Sequence, residues 1–378
     1  MDISIFKTMK DEDFFSDKLQ HIYFTSYVTE TSVNELLSKI HKANNPTIVN
    51  KILIQPKPII IHISSLGGEL TPALRFLTAF KDSKVPICTI VDNYSASAAT
   101  ILSINSPYRL VTEYSLTLIH QYSTSINGKR EILLNKLKIE EETTYAKLFD
   151  MYLNRTKLKK KELQELLKHD IWLNATDSLK KGIADRILKF NGKHEKISKE
   201  YNFKVNELIK QPDFNNIYIS CKTQKEQLDN LLKPKDLIKP VIIHPQTSEC
   251  SDNSGYYVMS QGFSLISRIR TLETPSFCII ETPISLDDLL PMLYCSKRYM
   301  YEHSSVICNL IYFEYKSLLL IDTIKNTNTV FDLIKKILKS KTKLPDNIIN
   351  NINIELMILS PQQCLKYGLC DEVIKLYK

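Results

Sequence analysis

Glycine is scarce in this chain, with eight in 378 residues, and tryptophan occurs once. Long apolar runs are missing: stretches such as "PIIIHI" at Pro58–Ile63 fall far short of the roughly 20 residues that cross a bilayer, so no membrane span is expected. The eight cysteines form no C-x-x-C pair and only Cys88 lies in the first half. That spacing excludes a structural zinc site and fits reduced thiols in a cytoplasmic compartment. Net charge is +8, yet the lysines are interleaved with Asp and Glu, and no arginine-rich or base-stacking segment accompanies them. Nucleic acid is therefore not an expected partner. The opening "MDISIFKTMKDEDFF" has no basic flank leading into an apolar core, so no secretion signal is expected.

What remains is a globular composition, 43% hydrophobic and 24% charged, long enough for two domains that each bury a core. The densest basic run, "KLKKKELQELLKH" at Lys157–His169, spaces Leu158, Leu163, Leu166 and Leu167 for one helical face. Its lysines then read as the solvated side of an amphipathic helix.

The chain repeats itself. "HIYFTSYVTETSVNELL" from His21 returns as "NIYISCKTQKEQLDNLL" from Asn216, and "KPIIIH" from Lys57 as "KPVIIH" from Lys239. "VPICTIVDNYSASAATILSINSPYR" from Val85 aligns without a gap to "TPSFCIIETPISLDDLLPMLYCSKR" from Thr274, and "SLKKGIADRILK" from Ser178 matches the segment from Gln363. Four matches in one order indicate a tandem duplication. Each copy alternates buried strands with helices, which predicts an α/β fold with mostly parallel sheets flanked by helices. The expected organisation is one domain over 1–192, a Lys/Asn-rich linker over 193–214 and a second domain over 215–378.

In the first copy two of the few glycines stand side by side. Gly67 and Gly68 follow the strand "PIIIHIS", where glycine permits a sharp turn and close approach of a ligand to the amides. A turn without function would look the same. Ser97 sits where the strand "VPICTIVD" gives way to the helix "AATILSIN", between Ser95-Ala96 and Ala98-Ala99. It reads either as a helix cap or as a nucleophile beside free helix N-terminal amides. His120 closes the apolar strand "LTLIHQY" and reads either as a structural histidine or as a base.

Taken together, "SSLGG", "DNYSAS" and "HQY" resemble, in order and spacing, the motifs of the proteolytic subunit of the Clp protease, a serine peptidase of the crotonase-like fold. The family writes them "SPGG", "GxAxS" and "HQP". The resemblance covers about residues 20 to 190 and includes "IYFTSYVTE" and "LNATDSLKKGIAD". It implies two tandem domains of that fold with repeated ββα-type units. Ser97 would be the nucleophile, His120 the general base, and the amides of Gly68 and Ala98 the oxyanion hole. No metal or organic cofactor is implied. The stretch "KREILLNKLKIEEETTYAKLFDMYL" takes the place of the helix that joins facing rings in the family. Polypeptide substrates, a homo- or hetero-oligomeric ring and an ATP-driven AAA+ unfoldase would follow.

The family's third catalytic residue, an aspartate, aligns with Leu166. Asp170 and Glu165 are the nearby carboxylates, and Asp170, which immediately precedes "IWLNA", is favoured; a chain using neither is the third option. In the second copy Leu286 stands opposite Ser97 and Asn309 opposite His120, and paired glycines are missing. That half is expected to be catalytically inert. The runner-up is accordingly a weak or inactive structural subunit of a protease ring. An acyl-CoA hydratase of the same fold is disfavoured, because no two carboxylates pair beside the glycine turn.

Overall fold

The computed structural model describes residues 3–49, 51–123, 130–189, 208, 214–220, 239–246, 255–272, 274–308, 320–352 and 356–375. Contacts group Met1–Lys189 and Ser317–Asp322 into one compact unit, and Phe190–Lys316 with Thr323–Lys378 into a second. The expected linker, 193–214, lies outside the described residues apart from Leu208 and Phe214.

The first unit is built on β1 (Gln20–Phe24), β2 (Ile59–Ser65), β3 (Ile87–Ala96), β4 (Arg109–Thr112), β5 (Leu116–Leu118), β6 (Trp172–Asn174) and β7 (Arg186–Leu188). Strands β1, β2, β3, β4 and β7 lie side by side in that order, all parallel. Parallel strands are covered on both faces, which explains why β2 and β3 are buried along their whole length and read as unbroken runs, not alternations. One face, carrying Ile59, Ile61 and Ile63, packs on Val33, Leu36 and Ile40 of α1 (Glu30–Ala43) and on Phe76 and Phe80 of α2 (Phe76–Asp82). Thr29 caps α1 by accepting from the Ser32 amide.

On β2, His62 interrupts the isoleucines. It is buried against Asp92 (Nδ1 to Oδ1 3.0 Å), meets His21 Nδ1 through Nε2 at 3.0 Å and stacks on Tyr23 at 4.7 Å. Arg109 at the start of β4 is held in a forked ion pair by Asp185, whose amide in turn donates to the Arg109 carbonyl.

Strand β3 is long enough to serve two neighbours. Its first half, Thr89–Val91, pairs with β4, and its second half, Tyr94–Ala96, pairs in parallel with β5. Strand β5 then pairs antiparallel with β6. The helices that follow β3 in the chain are α3 (Ala99–Asn105), α4 (Arg130–Glu140), α5 (Ala146–Arg155), α6 (Lys160–Leu167) and α7 (Ala175–Lys180). Between α4 and α5 the expected single helix widens into a π turn, Glu141–Tyr145.

The second unit has five parallel strands in sequential order: β8 (Asn215–Ser220), β9 (Val241–Gln246), β10 (Ser276–Ile280), β12 (Lys297–Tyr301) and β15 (Glu372–Ile374). A smaller sheet pairs β11 (Ile284–Ser285) in parallel with β13 (Val306–Cys308), and β13 antiparallel with β14 (Met357–Leu359). Helices in the second half of the chain include α8 (Gly255–Thr271), α9 (Leu286–Met292), α10 (Leu320–Lys341), whose residues up to Asp322 group with the first unit, and α11 (Pro361–Tyr367). The fold is thus mixed α/β with mostly parallel sheets. The helix expected after "NIYIS" lies outside the described residues. So does Asn309.

Candidate active site

The glycine pair is required by its neighbours. Gly67 has φ +93 and Gly68 φ +147, both in the region that favours glycine. A β-carbon on Gly67 would stand 2.5 Å from the Ala96 carbonyl oxygen, and one on Gly68 would stand 2.4 Å from that of Val28. The turn is stitched to Val28, whose amide donates to Gly67 O at 2.8 Å while the Glu69 amide donates to Val28 O at 2.8 Å. Among the described residues neither the Gly68 N–H nor the Ala98 N–H donates to another group, and both residues line one cavity.

Ser97 links β3 to α3 with φ +52, a backbone conformation that is uncommon for a residue with a side chain. It is not the cap of α3; that position falls to Ala98. Its conformation is held from three sides. The Ser97 amide donates to Leu118 O at 2.9 Å, continuing the β3–β5 pairing by one residue. Its carbonyl accepts from the Thr100 amide at 2.9 Å and from the Thr100 hydroxyl at 2.5 Å. That hydroxyl also meets the Tyr152 hydroxyl at 2.7 Å. Strained non-glycine residues that persist under such constraint cluster at functional sites. A serine on a sharp strand-to-helix turn exposes its hydroxyl.

Two registers bring the rest together. Ala96 pairs with Leu118 across β3 and β5, so Ser97 falls beside Ile119, one residue short of His120. Leu118 pairs with Trp172 across β5 and β6, and two residues further along that antiparallel register His120 stands opposite Asp170. Their side chains meet: His120 Nδ1 lies 2.7 Å from Asp170 Oδ1. A carboxylate at Nδ1 accepts a hydrogen bond from that nitrogen's N–H and so selects the tautomer of the neutral ring whose Nε2 is the unprotonated nitrogen. The two side chains are 28% and 31% exposed, and His120 lines the cavity.

The other carboxylate candidate, Glu165, lies elsewhere. Glu165 is paired with Lys168 at 3.1 Å and with His169 at 3.3 Å, and these two neighbours, Lys168 first, hold its carboxyl below the usual carboxylate range. Leu166 is buried with Ile104, Ile119, Phe149 and Leu163. It is a core residue of α6.

Ser97, Ala98, Gly68 and His120 line one open cavity whose remaining wall is largely apolar, including Ile101, Leu148, Phe149 and Leu167. Tyr145, Phe149 and Tyr152 come from one face of the π turn and α5; that helical spacing was present in the sequence, but nothing in it pointed to the cavity. Burial pushes the Tyr152 phenol up to about 12, against the lowering effect of its bond to Thr100, so it remains a neutral donor. Tyr122 is also raised, by burial first and then by the Glu140 carboxylate.

Residues 17–191 match the Clp protease family. Over that span the amino-terminal unit is similar to a Clp protease domain. ATP-dependent Clp protease proteolytic subunit 1 of Chlamydia trachomatis serovar D is 26% identical over 183 residues, which cover 45% of this chain and 86% of that protein. The corresponding subunit 1 of Chlamydia muridarum is 27% identical over 195 residues, covering 47% of this chain and 93% of its own length. Subunit 2 of Treponema denticola is 29% identical over 162 residues, or 41% and 80%.

Among the described residues no cluster of His, Cys, Asp and Glu suits a metal ion, and no helix is long and apolar enough to cross a membrane. The six described cysteines are free and buried.

Proposed function

We propose that the Clp protease-like domain is a serine endopeptidase. The contact that carries the reading is the 2.7 Å approach of Asp170 to His120 on the wall that also holds Ser97. In this reading the Ser97 hydroxyl attacks a peptide carbonyl as His120 Nε2 removes its proton, and Asp170 fixes the ring tautomer and stabilises the imidazolium that forms. The Gly68 and Ala98 amides receive the oxyanion, and each such donor contributes about 3 kcal/mol to the transition state. His120 then protonates the leaving amine, and water releases the acyl-enzyme by the same route. No cofactor takes part. The apolar wall suits an uncharged, apolar side chain on the residue whose carbonyl is attacked.

A fluorophosphonate probe tests this. Labelling of Ser97 that disappears in Ser97→Ala supports the enzyme, together with hydrolysis of an unfolded polypeptide. Silence of the assembled protein supports instead an inert subunit of a protease ring.

The second half belongs to this proposal as a degenerate copy without catalysis. Supporting it, both units order five parallel strands sequentially, and each repeats the same three side-chain arrangements. Arg298 pairs with Asp371 as Arg109 does with Asp185, Tyr218 stacks on His244 at 4.5 Å as Tyr23 does on His62, and Asn216 bonds His244 where His21 bonds His62. At the position of Ser97 the copy has Leu286, fully buried at the start of α9. Ring assembly is supported by α4, which leaves Leu134, Leu137 and Ile139 about half exposed or more, a surface for facing subunits. An ATP-driven AAA+ unfoldase and a cytoplasmic setting complete the proposal.

A further inference from the structure

Asp170 stands four residues past the position that the family's aspartate would occupy, in the short connection between α6, which ends at Leu167, and β6, which begins at Trp172. A carboxylate on such a connection orients an imidazole only if the backbone beneath it is held. Strand β6 holds it from the far side, starting two residues later. On the near side the holding group comes from a distant part of the chain. Asp322, in the first turn of α10, is 1% exposed and belongs to the same compact unit as Met1–Lys189. Its Oδ2 accepts the backbone N–H of Asp170 at 3.0 Å, and its Oδ1 lies 3.0 Å from His169 Nδ1.

The two oxygens of Asp322 thus clamp consecutive residues. Burying a carboxylate is costly unless its oxygens find donors, and here each has one. The ring of His169 lies between two acceptors, Asp322 on Nδ1 and Glu165 Oε1 on Nε2 at 3.3 Å, so only the doubly protonated ring satisfies both contacts. A group that only needed a counter-ion would not also have to bond the amide of the residue that orients the base.

We infer that Asp322 is a positioning residue that fixes Asp170 against His120. Among the described residues Asp322 has no hydrogen bond to His120, and it does not line the cavity. The inference rests on the protease reading for its kinetic consequence, while the geometry it claims is measurable without turnover.

The full-length protein is compared with Asp322→Asn, Asp322→Ala, Asp170→Ala and the double variant Asp170→Ala/Asp322→Ala on a fluorogenic peptide. Misplacement of an orienting group by about 1 Å costs on the order of 100-fold, so Asp322→Ala is expected to lower kcat about 100-fold with KM within about twofold. Asp322→Asn keeps one of two acceptors and falls between. In the Asp170→Ala background the second substitution is expected to change nothing further, because its effect runs through the missing carboxylate. An additive loss, a loss carried by KM, or an unchanged kcat in Asp322→Ala overturns the proposal. Thermal melting and native mass of Asp322→Asn separate misfolding from misplacement. Independently of hydrolysis, the downfield proton resonance of the His120–Asp170 bond, read in Ser97→Ala protein, is expected to broaden or vanish on adding Asp322→Ala. An unchanged resonance overturns positioning even if the wild type hydrolyses nothing, a result that by itself would sink only the protease reading.

Discussion

His120 meets Asp170 at 2.7 Å just outside the paired strands, each two residues beyond the Leu118–Trp172 pair of the antiparallel β5–β6 register. Strand pairing brings the two segments together, independently of where α6 places its own carboxylates. Glu165 lies on the exposed side of that helix, bonded to Lys168 and His169.

The two carboxylates should therefore separate cleanly in kinetics. Asp170→Asn is expected to lower kcat by roughly 10⁴, the scale seen when a serine protease loses its orienting aspartate. Glu165→Gln is expected to leave kcat within about twofold, as for an exposed surface pair. The reverse ranking would assign the orienting role to Glu165.

Gly68→Ala drives a methyl group into the Val28 carbonyl. Overpacking and a disallowed backbone together predict a loss of about 2–4 kcal/mol in stability, and activity should vanish with the displaced amide. Gly262→Ala is the control. Its β-carbon finds nothing nearer than 3.6 Å, and on helix α8 alanine should stabilise by about 0.5–1 kcal/mol. Thermal unfolding of the two variants should shift in opposite directions.

At Ser97 the φ of +52 opposes any side chain. Replacing serine by glycine relieves that strain and replacing it by alanine does not. Both variants lose the hydroxyl, yet Ser97→Gly is expected to be the more stable by about 1 kcal/mol in denaturant titrations. Equal stability would mean that the backbone relaxes when the hydroxyl goes.

In the second unit, burial and then the neighbouring Asp288 push Asp287 up to about 7, and its Oδ1 is buried with no partner among the described residues. An unfolded aspartate loses its proton near pH 4, so between about pH 4 and 7 the folded state binds more protons and stability falls as pH rises. Asp287→Asn should remove this dependence and raise the melting temperature at pH 8, by an effect on the order of a few kcal/mol. A parallel pH profile for the variant and the wild type would show that Asp287 does not carry it.

Much of the site was legible locally. A buried strand ending in Gly67-Gly68, small residues around Ser97 and an apolar strand closing on His120 are short-range patterns, because strand and helix periodicity and backbone sterics act within a few residues. The parallel α/β class was legible for the same reason: strands covered on both faces carry unbroken apolar runs. The long helix over Lys129–Leu153 was legible as helix, though not its π turn at Glu141–Tyr145. The roles of Thr100 and Tyr152 were not legible at all. Their hydroxyls meet across 52 residues of chain, and neither belongs to a motif.

The amino-acid order alone determined which side chains are small, which strands are buried and which histidine ends a strand, since each depends on neighbours in the chain. Only the folded chain decided which of three positions, Glu165, Leu166 or Asp170, meets His120. Packing turns Leu166 into the core and leaves Glu165 outside, while the pairing of β5 with β6 delivers Asp170 to the imidazole. The bond from Asp322 to the Asp170 amide is likewise a tertiary outcome, because it joins residues 152 apart in the chain whose proximity no local propensity encodes.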